Sequence, residues 1–504
     1  MYKRILPLLC FLFLLARAGQ AQKNPGFEKG LEGWDLSGDK SAIGPDSLNG
    51  YQGKYCVRIG GKGGILQKIS LTPLSVLQFG IFLKSSDSNT IAHSFIRFYD
   101  NRGRVLLEYK SGPLSTLSYK ETGDYTESPP FTAYALIGVE KDSGAGYVYA
   151  DSFTLEKNTG QPPVGRKPEC NLNQYMIPFW KGDTVYNETV LLLSKNGQAA
   201  EGSLLYRPAN ILSIKSFDLK TTYKRGIDYV LADKAIARTG NSAMPFVSDS
   251  AFDKQNNLAW YSLQSKWVVV TYTHKDKWDQ IIPGYKGNLL PKTLSRLKSR
   301  SPLKIVAYGM SITRGLDVSG YDAVSPYMPT YVDLFARELE RIFGYKGIRI
   351  FNAGLPGAVV SWGADYADKY INPLKPDLVI IDFGMNDFWR YLPEEFGGYI
   401  RTIVKKVKTG NPGAEFLLLS NMDFDPGYIL DSDRNKTFYV SNMQGYKKVL
   451  REMEGEGIAN LDMTSLSDLI YRKKKAKDCI VNPLHPNDYL ARWYAQAMSA
   501  LFRE

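Results

Sequence analysis

The chain has few of the residues that build metal centres and disulfide frameworks. It contains four cysteines and three histidines in 504 residues. Neither a CxxC pair nor a Cys/His cluster occurs, so a zinc site or a disulfide framework has little support. Cys10 lies in an amino-terminal leader, which leaves Cys56, Cys170 and Cys479, an odd number. One disulfide and three buried thiols are both compatible with this pattern.

Long hydrophobic runs are also lacking after the first residues. Lys3 and Arg4 precede the apolar run Ile5–Leu15, and small residues follow at positions 19 and 21. This is the pattern of a secretory signal peptide over residues 1–21. Cys10 lies inside the run rather than after it, which argues against a lipoprotein anchor. No later stretch is apolar enough to span a bilayer. The sequence predicts an exported protein, periplasmic or extracellular, and gives no oligomeric state.

Basic residues are in excess but form no long run. The net charge is +12, yet "RLKSRSPLK" and "YRKKKAK" are short and far apart. We interpret them as solvated surface, with a polyanionic partner as the alternative. Nucleic acid is not expected as a partner of an exported chain.

Two β-rich regions follow the leader. Residues 22–158 contain alternating apolar and polar runs, such as "SVLQFGIFLK" and "SFIRFYD", which predict strands with one buried face. The polar, proline-containing residues 159–170 predict a linker. Residues 171–300 contain further runs, such as "KWVVVTYTH", and predict a second small β-sandwich that docks on or frames the next domain.

The opening "NPGFEKGLEGW" and the later "YADSFTLE" resemble jelly-roll carbohydrate-binding modules of bacterial polysaccharide-degrading enzymes. This resemblance implies a glycan-binding role for residues 22–158. An aromatic ring in a sandwich is more often part of the core than a ligand platform, so no sugar-binding residue is predicted. The rings considered are Trp34, Tyr51, Tyr55, Phe82 and Phe98.

From residue 301 to 504 the pattern changes to buried runs that alternate with helices. "LKIVAY", "IRIFN", "DLVIIDF" and "EFLLLS" predict strands, and "YVDLFARELERIF" predicts a helix that ends at Gly344. This alternation predicts an α/β domain with a parallel sheet in three layers, and its ligand site lies at the carboxyl ends of the strands.

Four loops at that edge carry a set of residues sufficient for acyl transfer. Ser311 in "YGMSIT" is the candidate nucleophile and His485 in "NPLHPND" the candidate base. The N–H groups of Ser311 and Gly354, with the side-chain amide of Asn386, are candidate oxyanion donors. We interpret His93 and His274 as structural and Asp387 as a loop-holding residue. Trp362 and Trp389 could line the pocket or simply pack.

These four blocks, in this order, resemble the SGNH (GDSL-type) hydrolase superfamily. The resemblance implies a flavodoxin-like fold and a serine esterase without metal or cofactor. Two positions depart from the pattern. Met310 replaces the usual Asp before the nucleophile, and Asn482 stands where the triad Asp is expected, three residues before the His. We predict Asn482 as the orienting residue, with Asp478 and Asp488 as nearby alternatives.

The sequence therefore predicts an exported esterase that removes small acyl groups, above all acetyl, from an acylated polysaccharide or oligosaccharide. Two alternatives stay open. One is a lipase, thioesterase or peptidoglycan acetylesterase on the same fold, because fold does not fix the acyl group. The other is a glycan-binding protein with weakened catalysis, for which Met310 and Asn482 are the arguments.

Overall fold

The computed structural model describes most of the chain after the predicted signal peptide. The chain divides into two compact units at residues 159 and 160, inside the predicted linker. No helix of the described residues is long and apolar enough to cross a membrane. Residues 1–21, where the signal peptide is predicted, lie outside the described part. The described residues are 22–73, 75–111, 114–129, 132–158, 167–248, 263–322, 324–425 and 436–503.

The first unit contains ten strands: β1 (Asp35–Gly38), β2 (Ile43–Asp46), β3 (Cys56–Ile59), β4 (Gly63–Ser70), β5 (Val76–Ser85), β6 (Ile91–Tyr99), β7 (Val105–Lys110), β8 (Lys120–Glu127), β9 (Tyr134–Ser143) and β10 (Val148–Asn158). They form two five-stranded antiparallel sheets, ordered β1-β4-β9-β6-β7 and β2-β3-β10-β5-β8. Alternate residues of β5, namely Phe79, Ile81 and Leu83, are buried. This confirms the sandwich predicted from alternation.

The second unit begins with another β-rich region. A short helix α1 (Leu172–Tyr175) precedes two sheets, ordered β11-β19-β14-β15 and β16-β17-β13-β12-β18. The strands are β11 (Thr184–Leu191), β12 (Leu193–Ser194), β13 (Glu201–Ser203), β14 (Pro208–Ser216), β15 (Thr222–Tyr223), β16 (Tyr229–Ala232), β17 (Ala235–Arg238), β18 (Val247–Ser248) and β19 (Trp267–His274).

The rest of the second unit is an α/β domain around a parallel sheet. Its strands are β20 (Leu303–Gly309), β21 (Ile348–Gly354), β22 (Leu378–Asp382), β23 (Glu415–Ser420) and β24 (Ile458–Asp462). Every residue of β22 and β23 is buried, so both faces of the sheet are covered. The helices are α2 (Pro291–Lys298), α3 (Ser311–Arg314), α4 (Tyr331–Phe343), α5 (Val360–Tyr370), α6 (Pro393–Gly410), α7 (Lys436–Glu452), α8 (Met463–Lys473) and α9 (Asp488–Ala500), and a hairpin of β25 (Ile480–Asn482) and β26 (His485–Pro486) precedes α9.

The predicted parallel sheet and its four strand runs are confirmed, and β24 is an additional fifth strand. Helix α4 has the predicted bounds, and Gly344 ends it in the left-handed conformation with φ 67°. Helix α2 lies before residue 301 but bonds the parallel sheet, since the N–H groups of Lys292 and Thr293 donate to Glu415.

The strand order places the functional edge of this sheet. The order β21-β20-β22-β23-β24 is the doubly wound order 2-1-3-4-5. Such sheets bind ligands outside the carboxyl ends of the strands, where the order reverses. That point lies between β20 and β22, and β20 is the strand that leads into Ser311.

Candidate active site

A tight turn presents Ser311 at the carboxyl end of β20. Ser311 is the first residue of α3, and Gly315 ends this helix with φ 94°. The N–H of Met310 donates to Thr313 Oγ1 at 3.0 Å, which closes the turn. A Cβ at position 309 would lie 2.1 Å from Thr313 Oγ1 and 2.2 Å from a backbone carbonyl oxygen of β22. Only glycine therefore fits before the turn.

A buried carboxylate supports this turn from below. Asp382 at the end of β22 accepts hydrogen bonds from Thr313 Oγ1 at 2.8 Å, from Tyr331 Oη at 2.7 Å and from Asn421 Nδ2. Complete burial raises the pKa of Asp382 to about 6, and the three donors counteract that rise. Thr313 and Asp382 thus brace the turn at Met310, the position where the resembled superfamily has an Asp.

His485 lies within hydrogen-bond reach of the serine. Ser311 Oγ is 2.8 Å from His485 Nε2. The hairpin of β25 and β26 carries the histidine to the sheet edge, and the Ser311 residue is only 6% exposed. The structure thus brings together a hydroxyl and an imidazole that are 174 residues apart, as the sequence analysis predicts.

The carboxylate beside His485 is one that the sequence analysis missed. Asp317 Oδ2 lies 2.5 Å from His485 Nδ1. Asp317 follows the nucleophile by six residues, in the loop after α3, and its backbone is left-handed with φ 66°. No motif marked this position, because the resemblance places the acid next to the histidine.

Asn482 contacts the histidine, although not through its amide oxygen. Asn482 Oδ1 accepts the N–H groups of Leu484 at 3.0 Å and His485 at 3.1 Å, which fixes the orientation of the amide. Its Nδ2 donates to Asp317 Oδ2 at 2.7 Å and lies 3.1 Å from His485 Nδ1. Asp317 Oδ2 and Asn482 Nδ2 therefore both lie at His485 Nδ1, and the amide oxygen of Asn482 does not face the ring. Asn482 as the orienting residue stays a prediction.

The candidate oxyanion donors differ in their availability. Ser311 N–H lies in the first turn of α3, where the helix supplies no acceptor, and no described residue accepts it. Asn386 Nδ2 donates one hydrogen to Ala358 O at 3.0 Å and keeps a second. Gly354 N–H is bonded to Asn352 Oδ1 at 3.0 Å. To act as an oxyanion donor, the Gly354 N–H has to share its hydrogen between Asn352 Oδ1 and the oxyanion, or release Asn352 Oδ1.

Gly354 has a second role beside the nucleophile turn. A Cβ at this position would lie 2.6 Å from the backbone nitrogen of Arg314 and 2.8 Å from Met310 O. The absence of a side chain therefore lets β21 approach the turn that carries Ser311.

The remaining titratable candidates have structural contacts. His93 Nδ1 is 2.8 Å from Asp142 Oδ2, and the ring of His274 stacks on Tyr206 with 4.1 Å between centroids. Asp387 Oδ1 accepts the first N–H of α5, from Val360, at 2.8 Å.

The two tryptophans considered as pocket residues have different surroundings. Trp362 stacks on Tyr366, whereas Trp389 is 37% exposed beside Phe388.

The three cysteines after the predicted leader are free thiols. Cys56 and Cys479 are buried and Cys170 is half-buried. Burial raises the pKa of Cys56 to about 11 and that of Cys170 to about 12. Among the described residues, no group of three or more His, Cys, Asp or Glu side chains is arranged to hold a metal ion.

A comparison with protein families gives one match, in the carboxyl-terminal domain. Residues 307–492 match the model of the GDSL-like lipase/acylhydrolase family. The matched stretch contains all four blocks, from Ser311 to His485. No curated protein matches the chain.

Solved structures with similar parts fall into two groups. A family 16 carbohydrate-binding module is 17% identical and covers 27% of this chain and 99% of its own, with a TM-score of 0.24. A two-domain esterase active on acetylated mannans is 23% identical and covers 44% of this chain and 54% of its own, with a TM-score of 0.34. A variant of Axe2, an acetyl xylan esterase from Geobacillus stearothermophilus, is 19% identical and covers 40% and 94%, with a TM-score of 0.32.

Proposed function

We propose that this chain is an exported serine esterase that removes small acyl groups, above all acetyl, from a polysaccharide. The observation that carries the proposal is the 2.8 Å contact of Ser311 Oγ with His485 Nε2 at the carboxyl end of β20. A hydroxyl within hydrogen-bond reach of a base, with the base oriented by a third group, is the arrangement of an activated nucleophile. The family match of residues 307–492 supports acyl-ester chemistry.

The proposed reaction gives each of these residues a role. Ser311 Oγ attacks the ester carbonyl while His485 Nε2 takes the hydroxyl proton. Ser311 N–H and Asn386 Nδ2, with Gly354 N–H when its partner changes, hold the oxyanion. His485 then returns the proton to the leaving sugar oxygen, and it next activates a water that hydrolyses the acyl-enzyme. These steps use no metal or cofactor.

The glycan part of the proposal rests on the first unit. Of the aromatic residues considered there, Trp34 and Phe98 are buried and belong to the core. Tyr51 is 40% exposed and stacks on Phe82 with 4.0 Å between ring centroids. An exposed stacked ring can receive the apolar face of a sugar. This pair, together with the resemblance of the amino-terminal residues, supports a glycan substrate.

The alternative of a catalytically weakened glycan-binding protein loses its main arguments. Thr313 and Asp382 brace the turn at Met310, and Asp317 supplies a carboxylate where Asn482 has none. A lipase or thioesterase on the same fold differs from the proposal only in the acyl group. Activity that falls steeply with acyl chain length favours acetyl, and the reverse favours a lipase.

The test compares the chain from Gln22, its Ser311→Ala variant and the matched control Ser295→Ala, whose serine is exposed on α2. Each is incubated with p-nitrophenyl acetate, butyrate and octanoate and with acetylated xylan and pectin. We expect acetate release by wild type and control, and a loss of about 10⁴-fold or more in kcat for Ser311→Ala. Release that persists in Ser311→Ala, or no release from any ester by wild type, would contradict the proposal.

A further inference from the structure

The carboxylate that faces His485 comes from the nucleophile's own loop rather than from the histidine's. We propose that Asp317 is the positioning residue that orients His485, and that Asn482 holds Asp317 in turn. This inference rests on the proposed esterase function. It reverses the assignment made from the resemblance, in which position 482 itself holds the ring.

The hydrogen-bond arrangement around Asp317 fits only one assignment of donors. Asp317 Oδ2 lies 2.5 Å from His485 Nδ1 and 2.7 Å from Asn482 Nδ2. The amide of Asn482 cannot turn its oxygen to the ring, because that oxygen accepts two backbone N–H groups. Since Nδ2 of Asn482 is itself a donor, the Nδ1 hydrogen of His485 has Asp317 as its acceptor. This tautomer leaves Nε2 free to accept the proton of Ser311.

The other nearby carboxylates are already committed elsewhere. Asp488 is buried and accepts both the N–H of Ser319 at 2.8 Å and its hydroxyl at 2.6 Å. Asp478 is fully buried and accepts the N–H of Leu191 at 2.6 Å. Neither alternative from the sequence analysis is therefore available to the imidazole, and Asp317 is the carboxylate in contact with it.

The β-rich region of the second unit fixes the backbone of Asp317. Gln264 Nε2 donates to Asp317 O at 3.1 Å and to Asp322 Oδ2 at 2.8 Å. Gln264 thus ties the carbonyl of Asp317 and the side chain of Asp322 to the β-rich region. These bonds hold the left-handed conformation that aims the carboxylate at His485.

The test transfers the carboxylate that faces His485 from position 317 to position 482. It compares Asp317→Asn, Asn482→Asp and the double variant Asp317→Asn/Asn482→Asp with wild type. Asp365→Asn, an exposed carboxylate on α5, is the matched control. For each protein, kcat and KM on p-nitrophenyl acetate are measured across pH, and thermal unfolding confirms folding.

We expect Asp317→Asn to lower kcat by up to about 10⁴-fold, because an amide favours the wrong imidazole tautomer. KM changes little, and the acid limb of the kcat/KM profile moves to lower pH because the imidazolium loses its counter-charge. Asn482→Asp alone also loses activity, since it places two carboxylates in contact. The double variant recovers part of the loss, because its new carboxylate lies where Nδ2 now lies, 3.1 Å from the ring nitrogen.

Two results overturn the inference, and they differ from a failure of the esterase proposal. One is that kcat of Asp317→Asn stays within a few-fold of the wild-type value, with an unchanged pH profile, while Ser311→Ala is inactive. The other is a folded Asp317→Asn variant whose loss the double variant does not reduce. A wild type that releases acyl groups from no ester instead overturns the proposed function and this inference together.

Discussion

The two β-rich regions show the same alternation of apolar and polar residues in the sequence, but the partners of their buried charged side chains come from different places. In the first unit, Asp151 is fully buried and accepts the N–H groups of Tyr51 and Gln52, which belong to the same unit. In the second, the fully buried Glu188 on β11 pairs with Lys474, which follows helix α8 of the α/β domain 286 residues later. The partners of Asp151 thus lie in its own region, whereas Glu188 is paired with a residue of the α/β domain.

This difference shows what strand patterns cannot reveal. Alternating hydrophobicity predicts a sandwich in both regions, yet only the position of the buried charges shows which sandwich depends on another domain. Lys474 Nζ also donates to Thr189 O at 2.9 Å, and Arg492 of α9 donates to the carbonyls of Tyr186 and Asn187 at 2.8 Å. Separating the β-rich region from the α/β domain would leave these buried groups without partners, which is costly.

The largest expected effect comes from breaking the buried ion pair. Lys474→Met leaves Glu188 buried without its cation, and such a loss typically costs about 3–5 kcal/mol of unfolding free energy. We expect a large drop in the stability of the second unit and none in the first. Tryptophan fluorescence during urea unfolding measures this, because seven of the eight tryptophans follow residue 159.

The matched control for this change is Lys473→Met, one residue earlier. Its amine pairs with Asp279 at 2.9 Å, but both side chains contact solvent, so its effect on stability is expected to be small. Equal effects for the two variants, or an equal loss in hydrogen-exchange protection of β4 and β9 in the first unit, would contradict the contrast between the regions.

A smaller effect concerns pH, and one carboxylate in each unit is expected to respond with opposite sign. Burial raises the pKa of Asp387 to about 7, although its Oδ1 accepts the N–H of Val360. A raised folded pKa means that the folded state holds more protons than the unfolded chain, so stability falls as pH rises from about 4 to about 7. Asp387→Asn keeps the acceptor for Val360 and removes the charge. We expect it to stabilise the second unit near pH 8 and to leave it unchanged near pH 4, measured by urea unfolding.

The opposite case in the first unit is Asp100. Burial raises its pKa, but bonds from Arg104 and Arg102 outweigh burial and hold the pKa below its ordinary value. This carboxylate contributes stability above the unfolded pKa of 3.8, and the contribution is lost as pH falls through the lower folded pKa. Asp100→Asn should therefore destabilise the first unit at neutral pH and much less in acid. If Asp387→Asn and Asp100→Asn change the free energy of unfolding at neutral pH in the same direction, the contrast between these two carboxylates is contradicted.

Much of the α/β domain could be predicted from its sequence, because its elements are marked by local rules. The strand runs, the helix that ends at Gly344 and the loops that carry Ser311, Gly354, Asn386 and His485 all follow from periodicity and from the edge at which parallel strands end. Strand β24 was missed because "IANLD" is short and places the buried Asn460 at its centre.

The orienting carboxylate could not be predicted in the same way. Asp317 reaches His485 only because Gly315 and Asp317 both take left-handed backbone conformations after α3. Asn482 has the spacing expected of the orienting residue, and its side chain carries an oxygen that could accept the ring N–H. That oxygen instead accepts backbone N–H groups of its own turn. Tertiary context, rather than spacing, decides both positions.

The smallest expected effect tests whether the second β-rich region contributes to catalysis as well as to folding. Gln264→Ala removes both bonds from this region to the Asp317 loop, and the neighbouring exposed serine gives the control Ser265→Ala. The change leaves the Asp317 carboxylate in place but removes bonds that hold its loop. Since catalysis is sensitive to small misplacements, we expect kcat on p-nitrophenyl acetate to fall roughly three- to tenfold. KM and the midpoint of unfolding should hardly change. Unchanged kcat in Gln264→Ala would mean that the α/β domain holds Asp317 alone, and the second β-rich region would then differ from the first only in how it folds.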